Sequence, residues 1–161
     1  MNLAEKSYDI VIERGILKEA NKYLNLQRKV LILTDTGVPT QYVQTVASQC
    51  KEAVVYTIEM GEGSKSLKSV EKICAEMLAH GFTRTDVAVA VGGGVVGDLC
   101  GFVASCYQRG IDFYNIPTTL LSQLDSSIGG KTAVNLAGVK NCVGAFHQPK
   151  CVLIEIGRAH V

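Results

Sequence analysis

Three cations and two polar side chains in the second half of the chain suit a small ligand that carries phosphate and hydroxyl groups. Arg109, Lys131 and Lys140 supply the positive charge, and Asp125 and Asn141 lie near them in the sequence. A guanidinium group matches phosphate through paired hydrogen bonds, whereas ammonium groups suit hydroxyls and developing oxyanions. The five residues are therefore candidates for binding a phosphorylated, polyhydroxylated substrate.

A glycine-rich turn after the middle of the chain indicates phosphate binding. The run Val87–Val91 is continuously apolar, as in a buried parallel strand, and a helix-compatible segment follows the glycines to about Tyr107. Glycine lets the backbone approach a ligand closely, and the free N–H groups that open a helix favour phosphate. Gly92, Gly94 and Gly97 also match the G-x-G-x-x-G fingerprint, although such a turn usually lies in the first βα unit. A tight strand-to-helix turn without a ligand is the alternative.

Two upstream positions carry charges at places where α/β proteins bind ligands. Asp35 follows the apolar run Lys29–Thr34, so its carboxylate is expected either to accept ribose hydroxyls or to cap a turn. Glu62 and Lys65 lie in the polar connection 61–66. The composition of this connection favours a solvated turn when it is considered by itself.

Three other chemistries lack support in the sequence. Gly130–Thr132 resembles the end of a P-loop, but Asp125 stands where that loop needs its first glycine. The serines near Asp125 are not in a G-x-S-x-G elbow, which argues against a serine hydrolase. His147 is a poor sign of a metal site, because a packing or surface histidine is more common and three ligands are not apparent.

The elements that would position these residues alternate between strands and helices. Predicted strands are Tyr8–Glu13, Lys29–Thr34, Ala53–Ile58, Val87–Val91, Ile111–Ile116 and Cys151–Glu155. Predicted helices lie between them, and the polar, glycine-rich residues Asp125–Pro149 are predicted to be mostly loop-like. This alternation predicts an α/β fold with a Rossmann-like, doubly wound and mainly parallel sheet.

Length and composition limit the remaining possibilities. A chain of 161 residues with 47% hydrophobic residues suits one ordinary globular domain. Its net charge of +1 argues against nucleic acid as a partner. Apolar runs stay short of the ~18 residues of a membrane span, and the N-terminus lacks a signal-peptide core. Six scattered cysteines are predicted to be reduced packing residues, and the expected compartment is the cytoplasm.

The stretch from Val91 to Pro149 strongly resembles the 3-dehydroquinate synthase family. Its five blocks, in family order, are Gly92-Gly-Gly-Val-Val-Gly-Asp98, Gln108-Arg-Gly110, Pro117-Thr-Thr-Leu-Leu121, Asp125-Ser-Ser-Ile-Gly-Gly-Lys-Thr-Ala-Val-Asn135 and Lys140-Asn-Cys-Val-Gly-Ala-Phe-His-Gln-Pro149. Glu62-x-x-Lys65 resembles a family NAD-binding motif. The likeness covers Tyr8 to Glu155, the family's N-terminal domain, with one local departure at Val139, where the family usually has glycine.

The resemblance implies an enzyme that uses NAD and a divalent metal, zinc or cobalt. Members cyclise 3-deoxy-D-arabino-heptulosonate 7-phosphate to 3-dehydroquinate and release phosphate, which makes them lyases of the shikimate pathway to aromatic amino acids. NAD removes a hydride from a substrate alcohol and later returns it. The implied partners are this small-molecule substrate and a second copy of the chain.

Individual roles follow from the same resemblance. It implies a cofactor-binding set that comprises Asp35, Glu62, Gly63, Ser64, Lys65, Gly93, Gly94, Val95, Val96, Gly97, Asp98, Thr118, Thr119, Leu121, Asp125, Lys131 and Lys140. Within this set, Asp35, Glu62 and Lys65 would hold the adenosine ribose, and Asp98 would lie on the nicotinamide side. Asp125, Lys131, Lys140 and Asn141 would face the reacting centre. Arg109 would reach the substrate phosphate of a neighbouring subunit, which implies a homodimer.

The end of the chain departs from the family. Residues 1–155 correspond to the NAD-binding domain, and the helical domain that supplies a glutamate and two histidines to the metal is absent. The tail Ile156–Val161 lies outside the family pattern, and one back-translation of it resembles a sequencing adaptor, which suggests a truncated gene model. The chain alone is therefore expected to lack synthase activity and to expose an apolar surface beside the cofactor.

Three alternatives stay open. A sibling sugar-phosphate cyclase such as 2-deoxy-scyllo-inosose synthase shares the glycine-rich turn and the Gly-Gly-Lys-Thr block, and only substrate turnover separates it. A glycerol or iron-dependent alcohol dehydrogenase shares the glycines and Pro-Thr-Thr but generally lacks the block Asp125–Lys131. A non-catalytic NAD-binding module would form a defined complex with NAD.

Overall fold

A computed structural model describes residues 7–157 of the chain, so most of the non-family tail, residues 158–161, lies outside the described residues. The described residues form eight strands and three α-helices. The strands are β1 Asp9–Glu13, β2 Lys29–Asp35, β3 Glu52–Ile58, β4 Val87–Gly92, β5 Asp112–Pro117, β6 Lys131–Leu136, β7 Val139–Phe146 and β8 Cys151–Glu155. The α-helices are α1 Thr40–Ala47, α2 Leu67–Ala79 and α3 Gly94–Cys106. Short 3-10 segments lie at Ile16–Lys22, Glu62–Ser64 and Tyr107–Arg109, and a π-helix at Ser122–Ser126.

Six of the strands form one parallel sheet in the order β1-β8-β5-β4-β2-β3. The central strand β4 is buried over its whole length, as its uninterrupted apolar run predicts. Its Val89 pairs with Ile32 of β2 on one side and Tyr114 of β5 on the other. The predicted α/β fold with a parallel sheet is confirmed.

Helices cover both faces of this sheet, which makes it doubly wound. Side chains alternate across a strand, so Val30 and Ile32 pack on one face with α1 and the segment Ile16–Lys22. Leu31 and Leu33 pack on the opposite face with α2 and α3. Both hydrophobic clusters therefore share strand β2, and the second cluster packs α3 against one face of the sheet.

The segment predicted to be loop-like contains an antiparallel hairpin, so that prediction was wrong. Strands β6 and β7 pair from Lys131 opposite Phe146 to Leu136 opposite Val139. Thr132 and Val134 are buried while their neighbours are partly or fully exposed, so only one face of β6 packs on the domain. Interspersed glycines and polar residues obscured this alternation in the sequence. The hairpin packs across α3 at Gly101, where a Cβ atom would overlap Cγ2 of Thr132.

The cysteines are free thiols among the described residues. Burial raises the pKa of the Cys100 thiol well above its usual value and raises the pKa of Cys151 to about 11. Cys106 and Cys142 are exposed, so the packing prediction was wrong for these two. Within residues 7–157, the helices are too short or too polar to cross a membrane.

Candidate functional site

The first turn of α3 offers backbone N–H groups at the carboxyl edge of the sheet. β4 ends at Gly92, and α3 begins at Gly94 after one extended residue, Gly93. The first hydrogen bond of the helix runs from Gly97 N to Gly93 O at 3.0 Å, and no described side chain caps the preceding N–H groups. These groups carry the positive end of the helix dipole, so they favour an anion such as phosphate.

Two positions in this turn require glycine, because side chains of nearby residues lie too close to the backbone to admit a Cβ atom. A Cβ atom on Gly92 would lie 2.6 Å from Cγ2 of Val96, and one on Gly94 would lie 3.0 Å from Oγ of Ser126. Thr118 follows β5, and its Oγ1 atom is buried without a hydrogen-bond partner among residues 7–157. Free N–H groups, an unpaired hydroxyl and bare glycine backbone are features that fit the diphosphate of a dinucleotide.

A buried ammonium group joins three elements beside this turn. Lys65 is only 4% exposed, and its Nζ atom lies 2.5 Å from Oδ2 of Asp98 in α3 and 2.6 Å from Oδ1 of Asn141 in β7. The expectation of a solvated turn was therefore wrong for Lys65, whereas Glu62 in the same connection is exposed. Residues far apart in the sequence thus meet around one cation.

The pKa of Asp98 lies above that of an ordinary aspartate in spite of this ion pair. Burial raises its pKa above the usual value, and the Glu62 carboxylate adds a smaller effect in the same direction. The hydrogen bond and the charge of Lys65 oppose this shift without cancelling it. The proton affinity of Asp98 therefore depends directly on the presence of Lys65.

A cleft of about 720 Å³ opens between α3, the π-helix Ser122–Ser126 and the hairpin. It brings together Asp98, Asp125, Lys131 and Asn141, which come from four different elements. Asp125 and Lys131 are exposed to it, so one carboxylate and one ammonium group are free to meet a ligand. Four of the predicted site residues therefore converge on a single volume that is large enough for a small molecule.

Other predicted residues lie outside this cleft. Lys140 is exposed near the tip of the hairpin, and Thr119 and Leu121 follow β5. Asp35 ends β2, and its Oδ1 atom accepts a hydrogen bond from Gly37 N at 2.8 Å. It thus caps a turn, as one of its two expected roles requires. Arg109 is exposed beyond the opposite end of α3.

Several large apolar side chains are exposed in the segments that lead to the cleft and line it. Leu121, Leu124 and Phe146 are 73%, 72% and 81% exposed, and Ile128 is partly exposed beside them. Phe146 and Ile128 also line the cleft. These four side chains are the residues that we assign to the apolar surface expected beside the cofactor.

Asn135 of β6 was missed in the sequence as a member of the site. Its side chain hydrogen-bonds both to Glu62 and to the backbone of Asn141. The only available signal was its polar character between apolar residues. That signal was uninformative while the segment was interpreted as a loop.

The described residues do not provide a metal site. Within residues 7–157, no group of three or more histidine, cysteine, aspartate and glutamate side chains is close enough to hold an ion. His147 stacks on Phe113 with ring centroids 5.6 Å apart, and its Nε2 atom lies 2.9 Å from Ile111 O. The interpretation of His147 as a packing residue is confirmed, and no metal-dependent step can be assigned to these residues.

Comparisons of the sequence with known proteins all point to one family. Residues 55–159 match the family model described as 3-dehydroquinate synthase N-terminal. The 3-dehydroquinate synthases of Shewanella frigidimarina and Streptococcus thermophilus (strain ATCC BAA-491 / LMD-9) are 44% and 46% identical over 160 and 162 residues. Each alignment covers 96% of this chain but only 45% and 46% of the relative. The chain thus spans less than half the length of these curated relatives.

Solved structures of related cyclases have the same fold. One is 2-deoxy-scyllo-inosose synthase in complex with carbaglucose-6-phosphate, NAD⁺ and Co²⁺, with a TM-score of 0.89 and 29% identity over 94% of this chain and 44% of that one. Another is 2-epi-5-epi-valiolone synthase from Streptomyces hygroscopicus subsp. jinggangensis 5008 with NAD⁺ and Zn²⁺, with a TM-score of 0.84 and 33% identity over 95% and 44%. A probable glycerol dehydrogenase from Sinorhizobium meliloti 1021, 16% identical, shares the fold with a TM-score of 0.69. With its parallel sheet, its glycine-rich turn and the family-model match, the chain belongs to the 3-dehydroquinate synthase family and corresponds to its N-terminal region.

Proposed function

We propose that this chain is the NAD-binding part of a 3-dehydroquinate synthase. The enzyme would convert 3-deoxy-D-arabino-heptulosonate 7-phosphate to 3-dehydroquinate with release of phosphate. The observation that carries the proposal is the convergence of Asp98, Asp125, Lys131 and Asn141 on one cleft beside the uncapped start of α3. The curated relatives of the same name and the cyclases solved with NAD⁺ support it.

The residues that would hold NAD fall into two groups. The N–H groups of Gly94, Val95 and Val96 would bind the diphosphate, which glycine at position 93 allows to approach the backbone. At the carboxyl edge of the sheet, where open α/β folds bind nucleotides, β2 ends at Asp35. Four further residues follow β3 and β5 there: Glu62, Thr118, Thr119 and Leu121. When bound, NAD would supply reversible hydride acceptance at a substrate alcohol.

The chain's own polar residues would orient the substrate. The exposed ammonium group of Lys131 would donate hydrogen bonds to substrate oxygens and stabilise negative charge that develops there. The Asp125 carboxylate would accept hydrogen bonds from substrate hydroxyls. Asn141 would add a side-chain amide next to Lys131, and Lys140 would approach from the hairpin tip.

We also propose that this chain does not turn over substrate alone. Three protein ligands are the usual minimum for a catalytic zinc ion, and residues 7–157 do not assemble such a set. The ligands would then come from the portion of the relatives that this chain does not span. The exposed apolar surface around Leu121, Leu124 and Phe146 would pack against that portion.

Calorimetric titration of NAD into the chain tests the cofactor assignment. We expect saturable binding to the wild-type chain and at least tenfold weaker binding to the double variant Lys65→Ala/Asp98→Ala, because the variant loses two polar groups beside the cleft. Lys72→Ala, on the exposed side of α2, is the matched control. If a cooperatively melting wild-type chain gave no heat of binding, the proposal that this chain captures NAD would fail.

A sibling sugar-phosphate cyclase is a second candidate, because the TM-score of 0.89 to 2-deoxy-scyllo-inosose synthase indicates almost the same backbone. The two candidates differ in the sugar phosphate that the cleft accepts. Carbaglucose-6-phosphate, the compound in that structure, and 3-deoxy-D-arabino-heptulosonate 7-phosphate are to be titrated separately into the NAD-loaded chain. Tighter binding of carbaglucose-6-phosphate would favour the sibling cyclase.

We further propose that Arg109 serves the site of a second copy of the chain. The 13 residues of α3 place Arg109 about 20 Å from the glycine-rich turn that opens the helix, which exceeds the reach of an arginine side chain. Gln108 and Arg109 have φ values of 50° and 67°, and such strain in consecutive non-glycine residues is typical of functional loops. An exposed guanidinium group held in this way suits a phosphate of a neighbouring protomer.

Sedimentation velocity and protomer mixing test this arrangement. We expect a dimer, and we expect Arg109→Ala and Lys131→Ala each to abolish binding of the phosphorylated substrate. A mixture of the two variants should regain about one quarter of the sites, because a hybrid dimer has one complete site. A monomer at all concentrations, or no recovery on mixing, would contradict the shared site.

A further inference from the structure

Asn135 lies at an interruption of the hairpin ladder. Val134 pairs with Val143, but the next pair joins Leu136 to Val139, so Asn135 has no ladder partner in β7. Its backbone turns instead to the segment that precedes α2, where Asn135 N donates to Lys65 O at 2.9 Å. Three residues of β7, 140–142, lie opposite Asn135 at this bulge, and the Asn135 amide lies between Glu62 and Asn141.

Both ends of that amide are used. Its Oδ1 atom accepts a hydrogen bond from Asn141 N at 2.9 Å, and its Nδ2 atom donates to Oε2 of Glu62 at 2.9 Å. The two partners fix the orientation of the amide, because a flipped amide would place donor against donor and acceptor against acceptor. Asparagine is therefore the residue that satisfies both neighbours.

The bond to Asn141 holds an unusual backbone. Asn141 has a φ of 54°, in the left-handed region that non-glycine residues seldom adopt. In this conformation its side-chain oxygen accepts the hydrogen bond from Lys65, which in turn contacts Asp98. Hydrogen bonds therefore connect Asn135 in β6 to Asp98 in α3, by way of Asn141 and Lys65.

We propose that Asn135 is a positioning residue for the cofactor cleft. It would orient Glu62 through its N–H group and Asn141 through its carbonyl oxygen without touching the ligand itself. This inference rests on the proposed function, since Glu62 and Asn141 matter here as members of the NAD and substrate sites. It adds to that function a residue whose two hydrogen bonds can be separated experimentally.

Two substitutions separate the two bonds. Asn135→Ala removes both of them. Asn135→Asp keeps an acceptor for Asn141 N but places a carboxylate against that of Glu62. The charged groups that face this position are Glu62, the buried Lys65 ammonium and Asp98. Repulsion between the two carboxylates should disappear when the pair binds a proton. The NAD affinity of the Asn135→Asp variant should therefore depend on pH.

The experiment measures NAD affinity by calorimetry and the hydrogen exchange of the Asn141 amide by NMR, in the full chain. For Asn135→Ala we expect roughly tenfold weaker NAD binding at every pH and faster exchange of the Asn141 amide. For Asn135→Asp we expect a protected Asn141 amide, weakened binding at pH 8 and recovery of binding as the pH is lowered toward 5. A residue with only a bulk structural role would not produce this recovery. Asn21→Ala, an exposed amide outside the cleft, is the matched control.

Each result has a distinct meaning. If Asn135→Ala binds NAD like the wild type, the positioning role is overturned, whatever happens to the exchange of Asn141. If the wild-type chain fails to bind NAD, the proposed function fails instead, and the exchange of Asn141 still decides whether Asn135 fixes its backbone. Unchanged exchange in Asn135→Ala would then overturn the inference as well.

Discussion

Lys65→Met is expected to lower the free energy of unfolding by about 3 kcal/mol and to weaken NAD binding at least tenfold. The side chains of Lys65 and Asp98 are only 5% and 19% exposed, so removal of the ammonium group leaves a largely buried carboxylate without its counter-ion. Asn141 loses its hydrogen-bond donor at the same time. Urea denaturation at pH 7, followed by circular dichroism, measures the change in stability, with Lys72→Met as the exposed control.

The effect of Lys65→Met should depend on pH in a defined direction. Asp98 already has a raised pKa in the folded chain, so its ionisation removes stability as the pH rises through that value. Loss of Lys65 removes the interactions that lower this pKa, and the penalty at neutral pH therefore increases. Below the unfolded pKa of aspartate the carboxyl group is protonated in both states, and the difference between variant and wild type should shrink. A difference that stays constant between pH 8 and pH 4 would contradict this origin.

A double variant tests the same pair without a free charge. Lys65→Met/Asp98→Asn replaces the ion pair by neutral groups, so it should recover part of the stability lost in Lys65→Met. If the double variant were no more stable than the single one, the buried carboxylate would not be the source of the loss.

Gly144→Ala is expected to destabilise the hairpin by about 2 kcal/mol and to abolish NAD binding. Gly144 pairs with Ala133, and an added Cβ atom would overlap the carbonyl oxygen of Thr132 and lie 2.7 Å from Cβ of Ala133. The backbone oxygen cannot rotate away as a side chain would, so β7 must shift away from β6. This displacement would move Asn141 out of the cleft.

Limited trypsin digestion with urea denaturation measures the effect of Gly144→Ala. Faster cleavage after Lys131 and a lower urea midpoint are expected, since both report an opened hairpin. Gly63→Ala is the matched control for stability, because a Cβ atom at Gly63 meets nothing within 4 Å. An unchanged midpoint for Gly144→Ala would show that the ladder can absorb a methyl group at this position.

The sequence was sufficient for the parallel sheet but insufficient for the hairpin, and the difference has a physical cause. Strands such as β4 are apolar on both faces and stand out as continuous runs. β6 packs through one face only, against a glycine of α3, and its polar residues serve the site rather than the core. Hydrophobic periodicity therefore predicts the strands that are buried in the core. It predicts poorly those strands whose side chains are mostly polar and face a ligand site.

The candidate site was likewise predictable from the sequence only in part. The residue types near Asp125 and Lys131 predicted phosphate and hydroxyl chemistry, and the structure brings these residues together. The burial of Lys65 was not visible, because it depends on Asp98 and Asn141, which lie far along the chain. Asn135 was hidden for a similar reason, since its function comes from a bulge and a bulge has no local signature here.

The strand order has a consequence for synthesis of the protein. β1 is hydrogen-bonded in the sheet only to β8, with Asp9 paired to Cys151, so the first described strand must wait for the last one. At ordinary ribosomal rates this delay is about 10 s, during which β1 lacks its partner strand, and the edge of β5 is open for the last few seconds of it. The emerging chain therefore carries first one and then two unprotected strand edges before β8 is made, when chaperones can bind and aggregation competes with folding.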